Sequence, residues 1–162
     1  MTARRVIPLF PAPLAALSPA GRADACADWL AAGAAGMLAE TAAVNLLTEH
    51  GTWLSRDTFT SRCIDITTGI TDVPGLPDGT AAAIRWRTAV SGLHRHGATA
   101  PEKAVLQIAA SIAAGLRVSL HDTLASLDRA TLRAVLRAIA HANSGQASQD
   151  LITPAGPQEP LF

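Results

Sequence analysis

The chain has 162 residues, the length of one ordinary domain, of which 49% are hydrophobic, 16% charged and 4% aromatic, with thirteen basic side chains balancing thirteen acidic ones. This balance argues against nucleic-acid binding by bulk charge, and the low charged fraction with a mean hydropathy of +0.24 argues against a disordered chain. Collagenous, coiled-coil and disulfide-rich compositions are also excluded, which leaves an alanine-rich, mainly helical domain.

Alanine buries little area, so the core is expected to rest on Trp29, Trp53, Trp86, Phe59 and a limited set of Leu, Ile and Val, at roughly 25 cal/mol per Å² buried. Cys26 and Cys63 fit neither a CxxC pair nor a Cys/His zinc pattern and read most simply as reduced thiols of a cytoplasmic protein, with a single disulfide as the lesser alternative. No apolar run approaches the roughly 18 residues that span a bilayer. Arg4 and Arg5 precede the apolar stretch VIPLFPAPLAAL, but Pro8, Pro11 and Pro13 interrupt it, so an export leader is not the expectation.

In chain order, residues 1–17 read as an extended proline-rich arm that Val6, Leu9 and Phe10 could anchor. Ser18 before Pro19 is an N-cap arrangement. Helical preference then runs from about Arg22 to His50, either as two helices meeting near Gly33–Gly36 or as one bent helix, and Gly51 stops it. Ser55 caps a short helix carrying Phe59. Residues from about 63 to 86 read as a small hairpin, with one strand over Cys63–Thr67, a Gly/Pro loop from Gly69 to Gly79 and a second strand over Ala82–Trp86.

The C-terminal part, from about 100 to 143, reads as a three-helix module. Thr99 and Glu102 form a capping box with Pro101 in the first turn, and Gly115 ends the helix, whose core face is Val105, Ile108, Ala109, Ile112 and Ala113. Ser119 with Asp122 opens a short helix through Leu124 and Leu127. Asp128 caps the last, with Leu132, Val135, Leu136 and Ile139 as its expected core stripe. Residues 146–162 lack periodicity and read as a flexible tail. The domain proper is thus 18–145.

Arg129, Arg133 and Arg137 stand four apart on one face of this last helix, with His141 continuing the row. Such a row is either a contact surface for phosphates or an acidic partner, or a solvated face paired locally with Asp122 or Asp128. Small Ala130, Ala134 and Ala138 beside it would allow close approach. A helix-turn-helix reading is the alternative, although Arg133 and Arg137 lie beyond the positions that usually meet base edges. His94 and His96 flank Arg95, and this triplet reads as a basic surface turn rather than a metal site. Glu40, among Met37, Val44 and Leu47, is a candidate buried carboxylate that could act as a general acid or base, or pair with an arginine. There is no nucleophile–base pair, GxSxG, phosphate loop or GxGxxG, so no catalytic residue, cofactor or metal is expected.

The segments LLTEHGTWLSRDTF (Leu46–Phe59), IRW (Ile84–Trp86) and VLQIAASIAAGLRVSLHDTLASLDRATLRAVLRAIAHA (Val105–Ala142) resemble a group of uncharacterised actinobacterial proteins. The best-matched positions are Trp53, Trp86, Ala109, Leu124, Leu127, Asp128 and His141, while Ser119 and His121 depart from an acid and an arginine in that group. The resemblance implies a similar organisation and a cytoplasmic bacterial setting, and carries no activity.

The expected function is that of a non-catalytic intracellular interaction protein, binding an unknown protein partner through Arg129, Arg133, Arg137 and His141, with DNA regulation as the alternative and no membrane. The charge distribution supports looking there. Residues 1–80 hold five basic and eight acidic side chains, whereas residues 81–141 hold eight basic against three acidic.

Overall fold

A computed structural model describes residues 12–71 and 79–145. A short helical turn, α1 (Ala12–Ala15), leads into α2 (Pro19–Ala34) and α3 (Leu38–His50), followed by α4 (Asp57–Cys63). Strands β1 (Ile64–Thr67) and β2 (Ala81–Ile84) pair antiparallel, and α5 (Trp86–Ser91) with a 3-10 turn (Leu93–Arg95) leads to α6 (Ala100–Ala114), α7 (Leu120–Leu124) and α8 (Arg129–Ser144). The fold is mainly helical with one two-stranded sheet among the described residues. No helix among them is long and apolar enough to cross a membrane.

Local chemistry fixes several helix ends. Ser18 Oγ accepts from Gly21 N, Ser119 Oγ from Asp122 N, and an Asp128 carboxylate oxygen from Thr131 N, each satisfying a first-turn donor that has no partner within its helix. Thr99 and Glu102 form the complete capping box of α6. Gly51 and Gly115 close α3 and α6 in the left-handed conformation, with φ of 74° and 64°, which glycine adopts without steric cost.

Helix α3 lies between α6 and α8, its largest packing partners, and α2 covers both α3 and β2. The core between them contains Trp29, Trp53, Trp86, Phe59, Leu30, Leu46, Leu47, Val105 and Leu106. In the hairpin Ile64 faces Ile84 and Thr67 faces Ala81, so both isoleucines turn into the core while Asp65 points outward to Arg85.

Several expectations are corrected. Within the arm expected to be extended, residues 12–15 form a helical turn and Leu14 is fully buried; Val6, Leu9 and Phe10 lie outside the described residues, as does the 146–162 tail. Ser55 does not cap α4: its hydroxyl donates to Gly51 O, and Arg56 takes the N-cap position without a side-chain cap. Cys63 ends α4 rather than starting a strand, and Trp86 starts α5 rather than ending one. Both shifts bury an aromatic or sulfur side chain that an isolated hairpin would expose.

The expected core stripe of α8 is also displaced. Ala134, Val135 and Ala138 face α3, while Leu136 and Ile139 are 45% and 48% exposed. At 100° per residue the packed face is rotated from the Leu/Ile stripe by about one residue step. The cause is steric: two alanines allow α8 to approach α3 closely, and a leucine or isoleucine on that arc would hold the axes apart.

Candidate functional site

The predicted basic row does not act as a unit. Arg129 and Arg133 are exposed on the outer side of α8, whereas the Arg137 guanidinium donates to a carboxylate oxygen of Glu49 on α3. His141 is half-buried beside Ala42 and Asn45 in the groove between the two helices. Ala134 and Ala138, expected to lie open beside the arginines, are buried against α3 and unavailable to a partner. What the outer face offers is Leu136 and Ile139 with half-buried Leu132, edged by Arg129 and Arg133. From Arg129 to Gly145 it carries no acidic residue.

Glu40 is half-buried and accepts the indole N–H of buried Trp86 at 2.9 and 3.1 Å through its two oxygens. The pairing ties α3 to the start of α5 across 46 residues of sequence. Of the roles open to Glu40, this geometry shows a structural acceptor.

His96 contradicts the expected surface turn: it is only 7% exposed, while its neighbour His94 is exposed. The segment around Trp53 builds its enclosure. The His96 ring meets Trp53 edge-on, with centroids 5.7 Å apart and planes at 90°, and lies 6.0 Å from Phe59. Arg56, over the Trp53 ring at 5.5 Å, donates to His96 O and, at 2.8 and 2.9 Å, to the Glu102 carboxylate. Glu102 also accepts Thr99 N at 2.6 Å, and Trp53 Nε1 donates to Glu102 O at 3.0 Å. The Thr99 backbone N–H chiefly, with the Thr99 hydroxyl and Arg56, holds the Glu102 carboxyl below its usual range despite partial burial. One arginine therefore fastens the turn before α6 to the start of α4.

The enclosed histidine forms part of a cavity of about 430 Å³. From α4 it takes Thr58 and Arg62, one turn apart, and Cys63; from α5 it takes Thr88 and Ser91. Gly92 and Arg95 complete the wall with His96. His96 Nδ1 is 3.3 Å from Thr58 Oγ1, and Nε2 is buried with no hydrogen-bond partner, lying against Gly92, where a Cβ would approach it to 3.3 Å. Burial foremost, then the positive charge of Arg56 and Arg62 with His94 and Arg95, holds the imidazole below the ordinary histidine range. Burial likewise pushes the Cys63 thiol up, outweighing Arg85 and Arg62, so Cys63 is a poor nucleophile. Cys26, buried in α2, is pushed up to about 11 by its burial despite the opposing charge of Arg22. Both cysteines are free.

Sequence reasoning missed this cavity because its walls come from three short elements whose faces are fixed by packing. The available signal was the spacing of Thr58 to Arg62 and of Thr88 to Ser91, each of which places two polar groups on one helical face. Compared with protein-family models, with curated proteins and with solved structures, the chain matches none.

Proposed function

We propose that this chain is a non-catalytic intracellular interaction protein whose outer α8 face binds an acidic, amphipathic segment of a protein partner. The observation that carries the reading is the near-half exposure of Leu136 and Ile139 in the middle of a helix, beside the exposed cations Arg129 and Arg133, which form no ion pair among the described residues. Exposed apolar side chains on one helix face are anchors for a helix laid alongside, and the flanking charges select its sign. A second copy of the same face is disfavoured, because it would bring arginines together with no carboxylate from either α8 between residues 129 and 145. The Ala134 and Ala138 contact surface belongs to α3, so the partner meets Leu136 and Ile139 instead.

The test uses two labelled peptides with identical leucines at i, i+3, i+4 and i+7, one carrying glutamates and the other lysines on its flanks. The glutamate peptide is expected to bind saturably and the lysine peptide not to. Leu136→Ser with Ile139→Ser, or Arg129→Gln with Arg133→Gln, is expected to weaken binding about tenfold, while surface changes of this kind leave stability within about 0.5 kcal/mol per site. Equal binding of both peptides, or no saturable binding of either, overturns the proposal. Salt-sensitive duplex DNA binding that requires Arg129 and Arg133, in place of peptide binding, overturns it in favour of the helix-turn-helix alternative.

A further inference from the structure

The cavity around His96 is chemically unlike the α8 face and stands apart from the partner reading. Its eight lining residues include two arginines, a histidine and three hydroxyls, and no carboxylate. Neither arginine forms an ion pair with an acid among the described residues. The Arg62 guanidinium makes no hydrogen bond to the described residues, and Arg95 Nε makes its contact with the adjacent His94 ring at 3.2 Å. Four of the chain's arginines elsewhere, Arg22, Arg56, Arg85 and Arg137, are paired with Asp57, Glu102, Asp65 and Glu49. The two that face the cavity have no paired counter-charge among the described residues.

A buried polar atom without a partner loses its hydration with nothing to replace it. His96 Nε2 is such an atom, and it belongs to a ring held by two aromatic contacts, by Thr58 and, through its backbone, by Arg56. The His96 wall of the cavity is therefore organised before any ligand arrives, the condition under which polar groups give specificity at low ordering cost.

We propose that this cavity binds a small phosphomonoester, with Arg62 and Arg95 on the phosphoryl oxygens and the Thr88 hydroxyl completing the donor set, while Thr58 and Ser91, whose hydroxyls meet His96 Nδ1 and Thr88 O, form the wall. Guanidinium groups match phosphate oxygens in charge and fork geometry. A planar carboxylate is satisfied by one such fork, whereas donors arriving from α4, α5 and the turn beyond α5 surround a tetrahedral group from several sides. The cavity is also larger than a bare phosphate, which leaves room for a few carbons of the ester, within the usual volume range of small-molecule sites. Binding without turnover fits Cys63: the nearest sulfur nucleophile is kept as a thiol by its burial.

The experiment is a two-dimensional amide NMR titration of the full chain with inorganic phosphate, glycerol 3-phosphate, glycerol and acetate at fixed ionic strength. Saturable shifts centred on Gly92, Arg95 and His96 are expected with phosphate at about millimolar affinity, tighter with glycerol 3-phosphate, and absent with glycerol. Arg62→Gln and Arg95→Gln together, both at exposed positions, are expected to weaken phosphate binding about tenfold or more. Absence of saturable shifts in the unmodified chain overturns the proposal whether or not the variants fold. Binding that survives the double substitution, or acetate binding as tightly as phosphate, overturns it as well. Peptide binding by α8 uses other residues and another readout, so either proposal can fail alone.

Discussion

Replacing Gly33 by alanine separates what helix propensity dictates from what packing dictates. Gly33 lies inside α2, where alanine is favoured over glycine by about 1 kcal/mol in an exposed helix interior. Against that gain, a Cβ at residue 33 would lie 2.0 Å from the carbonyl oxygen of Ala82 on β2 and 3.0 Å from its carbonyl carbon. A contact of 3.0 Å, already at the limit of what real Cβ atoms show, requires α2 and β2 to separate by about 1 Å. The obstacle is backbone, in a strand paired with β1, so no side-chain rotation relieves it. Overpacking of one methyl costs about 1–3 kcal/mol when side chains can adjust, and a backbone clash belongs at or above the upper end. The net expectation for Gly33→Ala is a loss of about 2 kcal/mol, or about 4–8 °C in thermal midpoint for a chain of this size. Gly21→Ala in the same helix is the control, since its Cβ meets only side-chain atoms, the nearest being the capping Ser18 hydroxyl at 3.3 Å, and its midpoint should stay within about 2 °C of the parent. Thermal and urea unfolding followed by circular dichroism measure both. If Gly33→Ala is as stable as the unmodified chain or more so, the close approach of α2 to β2 is refuted.

Two further outcomes test the interior polar contacts. Glu40→Ala removes the acceptor of the buried Trp86 N–H and should cost about 1–3 kcal/mol, whereas Glu40→Gln keeps an acceptor oxygen and should lose much less; the indole N–H resonance should shift in the first variant, and equal stability of the two would refute the structural role of Glu40. The Glu102 carboxyl is held below its usual range in the fold, so its ionised form contributes stability that is complete above about pH 4.5 and is lost as the pH falls through the folded-state value. The urea-midpoint difference between the unmodified chain and Glu102→Gln should therefore narrow from pH 6 to pH 3, and a constant difference would contradict the Thr99 and Arg56 bonding.

Where elements begin and end was legible in the sequence wherever neighbouring residues decide it. Ser18, Ser119, Asp128 and the Thr99/Glu102 box satisfy backbone donors within three residues, and Gly51 and Gly115 end helices through their own backbone freedom. The hairpin was legible too, through the alternation around Ile64 and Ile66 and its Gly/Pro loop. Gly33 was read only as an interruption, because its use as a contact point depends on a strand some fifty residues later. The rotation of α8 was misread for a related reason. Apolar periodicity locates a stripe, and the fit of Ala134 and Ala138 against α3 decides which arc is packed.

The candidate sites divide along the same line. The sequence by itself determined that α8 carries a row of arginines, that the basic charge collects in the C-terminal half, and that aromatic side chains carry the core. Tertiary structure decided that Arg137 is spent on Glu49, that Glu40 serves Trp86, and that His96 is buried under Trp53 and Phe59 with Arg62 and Arg95 nearby. Those contacts join residues roughly 35 to 90 positions apart, brought together by burial and shape complementarity. Capping and periodicity act over one or two turns and specify the elements; packing over these longer separations specifies which side chains share a cavity and which are left to the solvent.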